Sequence, residues 1–376
     1  MNFTLTEEQA LLRDAVSRFL KDRYPAAVRW QGAESAQGWC PDIWRAFGDL
    51  GLWSLATADI FGDPDAARQV AIVLEEMGRA LVVEPFTDSV IVAGTLLRVL
   101  GGPASSALCN AIAEDGIRPI LTWDGGDHLT GPAALVSVVA EPVPDGWALT
   151  GVKHVVVAAP TATHLLLPAR LAGTGEAMLF VVPATTSGIT LHRGRTIDSR
   201  TFADLDLQGV AVTPAALLAR GAIVESAVAA VLDVATAALC AEALGSMREL
   251  VDMTAGYARQ RVQFGQPIAR FQAIQHRIVD MHLWQQQVAA AVHLAFASLS
   301  GGPEARGRAV SAAKATVGQA GRFIGQNAVQ LHGAMGLMDE LPVSHHFKRL
   351  TAIGNELGTV DRHLARYAAL SRRTAA

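Results

Sequence analysis

At 376 residues the chain is too long for a single core, and about two or three domains are expected. Half of it (51%) is apolar and 18% is charged, which excludes a disordered chain; a formal charge of -4 supplies no basic surface for nucleic acid or an anionic membrane. Cys40, Cys109 and Cys240 stand far apart without metal-ligand spacing, so no metal is expected, and they read as reduced thiols of a cytoplasmic protein. Met1 to Leu20 is acidic and amphipathic, without the basic start and apolar run of a signal peptide. No membrane span is expected: the Ala/Val-rich run Ala227 to Ala241 comes nearest, but it is short and carries Asp233.

The N-terminal third reads as helices. Thr6-Glu7-Glu8-Gln9 fits a capping box, and Leu12, Val16, Phe19 and Leu20 then share one face. Pro41 to Trp53, Ala66 to Val82 and Thr87 to Leu100 follow, and Gly101-Gly102-Pro103 punctuates the chain before another short helix. From Ile117 the period changes to strands. Pro119 to Thr122 opens them, Asp145-Gly146 signals a hairpin, and Phe202 to Leu207 alternates cleanly. After Gly221 long helices return, with Leu244, Met247, Val251, Ala255 and Ala258 on one face. A helix over Glu304 to Gln330 ends at His332-Gly333, and a last one runs from about Thr359 to Ser371. Helices, then strands, then long helices make an α+β chain by segregation, with a helical bundle at its C-terminus.

The residues that suggest chemistry lie in the last third. Arg261-Val262-Gln263-Phe264-Gly265-Gln266-Pro267 breaks one helix from the next, and Gln272 follows. A planar cation, a ring and an amide around one turn suit a diphosphate, an adenine and a polar edge of a dinucleotide. Gln330-Leu331-His332-Gly333-Ala334-Met335-Gly336 is a second turn, whose glycines permit close approach to the backbone. Asn355-Glu356-Leu357-Gly358-Thr359 is a third. His345-His346 diverge by about 100° on a helix, which is poor for chelation, and they read as a polar surface or interface.

Together these stretches resemble the acyl-CoA dehydrogenase family over nearly the full length, most closely over Met1 to Leu20, Leu149 to Val157 and Leu244 to Thr359. The resemblance implies an N-terminal helical domain (1–116), a middle β-barrel (117–215) and a C-terminal four-helix bundle (216–376). It implies FAD as cofactor, an acyl-CoA thioester as substrate and an electron-transfer flavoprotein as acceptor. By position it assigns Arg261, Phe264, Gln272, Gln330, Gly333 and Thr359 to FAD and Asp233 to the CoA moiety. In the family the Arg261 turn reaches the FAD held by a neighbouring subunit.

The departures from the family pattern are as informative. Leu357 stands where the family's catalytic glutamate is expected, and the alternative base position is Ala235, followed by Thr236 where an arginine is usual. A base must remove the α-proton, which a buried carboxylate can do and leucine cannot. Glu356, one residue away, is the remaining candidate. In the β region, Thr122-Trp123-Asp124-Gly125-Gly126 replaces the family's Thr-Glu-Pro-Gly stretch, and Gly151-Val152-Lys153 reads as the family's Gly-x-Lys turn. Val155 and Val157 stand where an aromatic cover and a hydrogen-bonding threonine are usual. The pattern is similar to the small subunit of bacterial heteromeric, pimeloyl-CoA-type dehydrogenases, in which two homologous chains form an α2β2 tetramer. A homo-oligomer that uses Glu356, a flavin-free structural subunit and a different flavin reaction remain alternatives.

Overall fold

The computed structural model describes residues 4–123 and 137–375, and these divide into two compact units. The first comprises 1–29, 67–82 and 236–376, and the second 30–66 and 83–235.

The first unit is helical. Helix α1 (Glu7–Arg23) starts with the expected capping box: Thr6 Oγ1 accepts from the Gln9 amide and the Thr6 amide donates to Gln9 Oε1, both at 3.2 Å. Helix α4 (Pro64–Ala80) and the C-terminal part of α7 (Ala222–Gln260) cross so closely that their backbones touch. A Cβ on Gly78 would lie 2.0 Å from the Glu242 carbonyl oxygen, and one on Gly245 would lie 1.8 Å from that of Glu75. Charged pairs flank the crossing: Arg79 to Glu249 at 2.8 Å and Arg248 to Glu75 at 2.5 Å. These side chains leave the apolar face of α7 as the spacing predicts, yet they tie helices together instead of meeting only solvent.

Helix α9 (Pro303–His332) is the axis of the C-terminal bundle, with α8 (Gln272–Ala297), α10 (Pro342–Asn355) and α11 (Val360–Ala375) packed on it. Gly333 ends α9 with φ +63°. Helix α7 is the helix among the described residues that is long and apolar enough to cross a membrane, and 72% of its most apolar window is buried in the protein itself. His345 and His346, expected at a polar surface or interface, are buried on α10. His345 Nε2 lies 2.7 Å from the Asp339 carbonyl oxygen, and His346 Nδ1 lies 2.9 Å from Ser246 Oγ.

The second unit carries α2 (Ala26–Glu34) from Trp30 onward, α3 (Pro41–Asp49), a π-helical turn at Phe86–Ala93, α5 (Gly94–Leu100), α6 (Gly102–Asp115) and the strands. Helix α2 has little amphipathic pattern, and no acidic residue in its first turn or basic residue in its last marks its bounds, which is why sequence periodicity passes over it. Strands β1 (Pro119–Leu121), β2 (Val138–Val143), β3 (Gly146–Val157), β4 (His164–Leu171), β5 (Ala177–Pro183), β6 (Ile189–Arg195), β7 (Thr201–Val212) and β8 (Leu217–Arg220) form one mixed sheet. Its order is β6-β7-β3-β2-β4-β5-β8, with β1 parallel to β4, so the expected barrel is an eight-stranded sheet whose path ends at β6 and β8.

The β2–β3 hairpin forms where the sequence predicts, but Gly146 pairs with Val143 instead of occupying the loop. Its missing side chain answers a close approach: a Cβ there would lie 2.1 Å from the Val212 carbonyl oxygen. Gly151-Val152-Lys153 is not a turn. It lies inside β3, where the pairing with β7 slips between Leu149 and Gly151. Asp124, Gly125 and Gly126 lie outside the described residues, while Thr122 is buried and donates through Oγ1 to the Leu166 carbonyl at 3.1 Å.

Two outcomes test this packing. Gly245→Ala drives a methyl group into backbone and is expected to cost about 3 kcal/mol or more. Gly256→Ala, on the same helix with nothing within 4 Å of the added carbon, gains about 0.5–1 kcal/mol from helix propensity. Urea midpoints at matched protein concentration separate the two. The second concerns His346, which burial, with help from Arg29, His345 and Arg79, holds down to about 3 from 6.5. The unfolded chain binds this proton near the ordinary value and the folded chain does not. Stability is therefore full above about pH 6.5 and falls on acidification, by about 1.4 kcal/mol per pH unit from this group. His346→Asn flattens that slope in urea titrations run between about pH 7 and 5.

Candidate active site

The Arg261 turn is a tight two-strand hook. Strand β9 (Val262–Gln263) pairs with β10 (Gln266–Pro267), and the Arg261 amide donates to the Tyr257 carbonyl at 2.8 Å. Phe264 and Gly265 occupy the tip with φ of +53° and +78°. A phenylalanine in the left-handed region is strained, and this one is 91% exposed, touching Phe271 edge-on at 6.1 Å. Arg261 and Gln272 are also exposed.

The Gln330–Gly333 turn lies at the same end of the bundle, because the Tyr257 ring stacks on His332 with centroids 4.4 Å apart. Gln330 and Gly333 are exposed, and nothing lies within 4 Å of a carbon added at Gly265 or Gly333. This end thus combines a guanidinium, two amides, an exposed ring and two backbone positions open to close approach. That set fits the ADP half of FAD, which needs cationic and amide donors and a flat apolar contact.

The third turn is built differently. Arg349 on α10 grips Glu242 of α7 with two hydrogen bonds, Nε to Oε1 at 2.6 Å and Nη2 to Oε2 at 2.9 Å. Its remaining nitrogen, Nη1, donates to Glu356 Oε2 at 3.0 Å. Glu356 is therefore a salt-bridged carboxylate. Leu357, buried, has φ +54°, and Gly358 has φ +108°. Their carbonyls accept from His363 Nε2 at 2.9 Å and from Lys314 Nζ at 2.7 Å. Burial lowers the lysine from its ordinary range, opposed by Cys240 and Glu356, and burial pushes His363 down to about 4. Burial also raises the Cys240 thiol to about 12. Thr359 is exposed just beyond the turn.

The predicted residues therefore fall into two groups. Lys314, in the first half of α9, and His332, at its C-terminus, mark the two groups, roughly 27 Å apart at the helical rise. Arg261, Phe264, Gln272, Gln330 and Gly333 gather at one end, and Glu356, Leu357 and Thr359 at the other. Asp233 lies on α7 within the second unit and is 2% exposed.

In the sheet, Val155 has φ +50° and its amide donates to Asp204 Oδ1 at 2.7 Å, beside a second register slip between Lys153 and Val156. Neither Val155 nor Val157 brings a side-chain hydrogen-bond donor. Sequence reasoning missed Lys314, His363, Arg349 and Glu242. A lone lysine inside the apolar run Ala312-Ala313-Lys314-Ala315 was the available signal for the first, and nothing local marks the others.

Known proteins resemble this chain over nearly its full length. The model of the acyl-CoA dehydrogenase C-terminal domain matches residues 225–369, and that of the N-terminal domain matches 6–105. The chain is 27% identical to acyl-CoA dehydrogenase IpdE2 of Mycolicibacterium smegmatis, over 96% of this chain and 98% of that protein. Among solved structures, the ChsE4–ChsE5 complex of Mycobacterium tuberculosis superposes with a TM-score of 0.85 at 26% identity, over 100% of this chain and 99% of that one. A variant of the Tcur3481–Tcur3483 steroid acyl-CoA dehydrogenase gives 0.86 at 25% identity over 99% of each chain. With both terminal domains matched and the fold shared from end to end, the chain belongs to the acyl-CoA dehydrogenase family.

Proposed function

We propose that this chain is one subunit of an FAD-dependent acyl-CoA dehydrogenase that desaturates an acyl-CoA thioester, and that a homologous partner chain supplies the catalytic base. The observation that carries this is the third turn. Leu357 holds the base position, and the carboxylate next to it in sequence, Glu356, is engaged by Arg349. The separation of the two groups along α9 adds support, since a cofactor gripped by the Arg261 end is served by a different copy's Thr359 end. The similar structures named as pairs, ChsE4–ChsE5 and Tcur3481–Tcur3483, favour a heteromer, and the second, named a steroid enzyme, favours a bulky acyl group.

When bound, FAD accepts the hydride that leaves the β-carbon. Arg261 would neutralise diphosphate charge, Phe264 would cover the adenine, and Gln272, Gln330 and the Gly333 backbone would complete the edge. Thr359 meets the flavin side, and Asp233 contacts the CoA moiety. An electron-transfer flavoprotein would be the acceptor. The functional division is 1–116, 117–215 and 216–376, and the assembly is an α2β2 tetramer in the cytoplasm.

Purified alone, the chain is expected to oxidise acyl-CoA at under about 1% of the co-expressed rate, a loss in keeping with a missing general base. Full turnover by the lone chain, abolished by Glu356→Gln, identifies Glu356 as the base and overturns the heteromer. In the co-purified assembly, Arg261→Ala lowers retained flavin about tenfold or more, read as absorbance near ~450 nm. An assembly that is colourless with Arg261 intact would point to a flavin-free structural subunit.

A further inference from the structure

Three consecutive residues of the Glu356-Leu357-Gly358 turn are each held by a donor from a different helix. Arg349 of α10 takes the Glu356 carboxylate, His363 of α11 takes the Leu357 carbonyl, and Lys314 of α9 takes the Gly358 carbonyl. All three donors are buried, with exposures of 4%, 0% and 1%. Packing alone does not call for a lysine there. Methionine or leucine would fill the same space without the cost of desolvating an ammonium group. The turn so held is strained, because a leucine at φ +54° persists only where its surroundings over-determine it.

The chemistry of the contacts says what is fixed. Both carbonyls are drawn into the bundle by cationic or N–H donors, so neither is free to swing. The Leu357 side chain and the step to exposed Thr359 are fixed with them. We infer that Lys314 and His363 are positioning residues, which clamp the backbone of Leu357 and Gly358 so that Leu357 stays fixed as a carboxylate-free wall toward the acyl thioester and Thr359 stays fixed toward the flavin. The inference rests on the reading of this turn as part of the acyl-CoA site. Arg349 anchors the preceding residue and sets where the turn begins.

The test uses Lys314→Met, His363→Leu and His363→Gln in the full chain, alone and co-expressed with its partner. His363→Gln keeps an N–H donor of similar reach. Amide hydrogen exchange is followed by mass spectrometry on the peptide spanning 355–360 and on peptides from α9 and α11. Lys314→Met and His363→Leu are expected to speed exchange in the turn about tenfold, with α9 and α11 unchanged and His363→Gln within about twofold of the parent. In the active assembly the same two variants raise KM for acyl-CoA about tenfold while kcat changes less than about threefold. Unchanged exchange in the turn overturns the clamp. So does exchange that rises evenly across the chain, which marks a merely structural role. If Lys314→Met yields no folded protein, the His363 pair decides alone: equal turn exchange in His363→Leu and the parent overturns it. Exchange is read without substrate, so the two readings fail separately. An inactive parent assembly whose turn loosens in the variants removes the acyl-CoA reading and keeps the clamp.

Discussion

The contact between the backbones of α4 and α7 at Gly78 and Gly245 sets the geometry on which the candidate site depends. Two helices normally stand 8–10 Å apart because side chains intervene. Here a single added carbon on either glycine would meet a carbonyl oxygen at 2.0 Å or less. The Glu242 carbonyl abuts Gly78, so that residue cannot shift. Its carboxylate receives two of the hydrogen bonds that fix Arg349. The position of α10 therefore follows from a glycine on a helix far away in sequence. The end of α10 in turn sets the Glu356 turn. A packing constraint is thus converted, through one guanidinium, into the placement of the residues nearest the proposed chemistry.

The charges along this path balance. Arg349 and Lys314 are buried near Glu242 and Glu356, two cations with two carboxylates, and each lysine or arginine nitrogen named above ends on an oxygen. Such pairs do little for net stability compared with apolar packing of the same shape, because desolvation offsets most of the attraction. What they supply is directional. A guanidinium with three of its nitrogens engaged admits one orientation, and a buried ammonium on a carbonyl excludes the alternatives that leave it without a partner. The strained φ at Leu357 is tolerable in that setting and would relax in a turn held only by apolar contact.

What the sequence made legible is local. The capping box at Thr6, the buried face of α7 and the glycine stop of α9 each depend on residues within a few positions of one another, and each forms as the spacing predicts. The family resemblance placed the three turns, because their residues are contiguous. The rest was hidden by distance or by context. Glu242 and Arg349 are 107 residues apart, and no periodicity joins them. Gly146 looks like a turn glycine, but a neighbouring strand's carbonyl decides its role. His345-His346 reads as a polar surface or interface, because adjacent side chains on a helix diverge. Ser246 and the Asp339 carbonyl satisfy those imidazoles inside the bundle, and no local pattern announces such partners.

Phe264 shows the same logic from outside the core. At Leu357 the strain is held by three donors of the same chain. At Phe264 the backbone is equally left-handed, but the ring is 91% exposed and its ring contact is the edge of Phe271. Exposing a phenylalanine in a strained conformation forgoes both the hydrophobic gain and the relaxed backbone, and among the described residues its ring contact is Phe271 alone. On the proposed reading the compensation comes from a nucleotide laid across the turn and from the neighbouring subunit that carries it. The two strained residues then mark the two halves of a shared site. One half is fixed from within by buried charge, and the other is left open at the roughly 27 Å distant end of α9 to be completed from without.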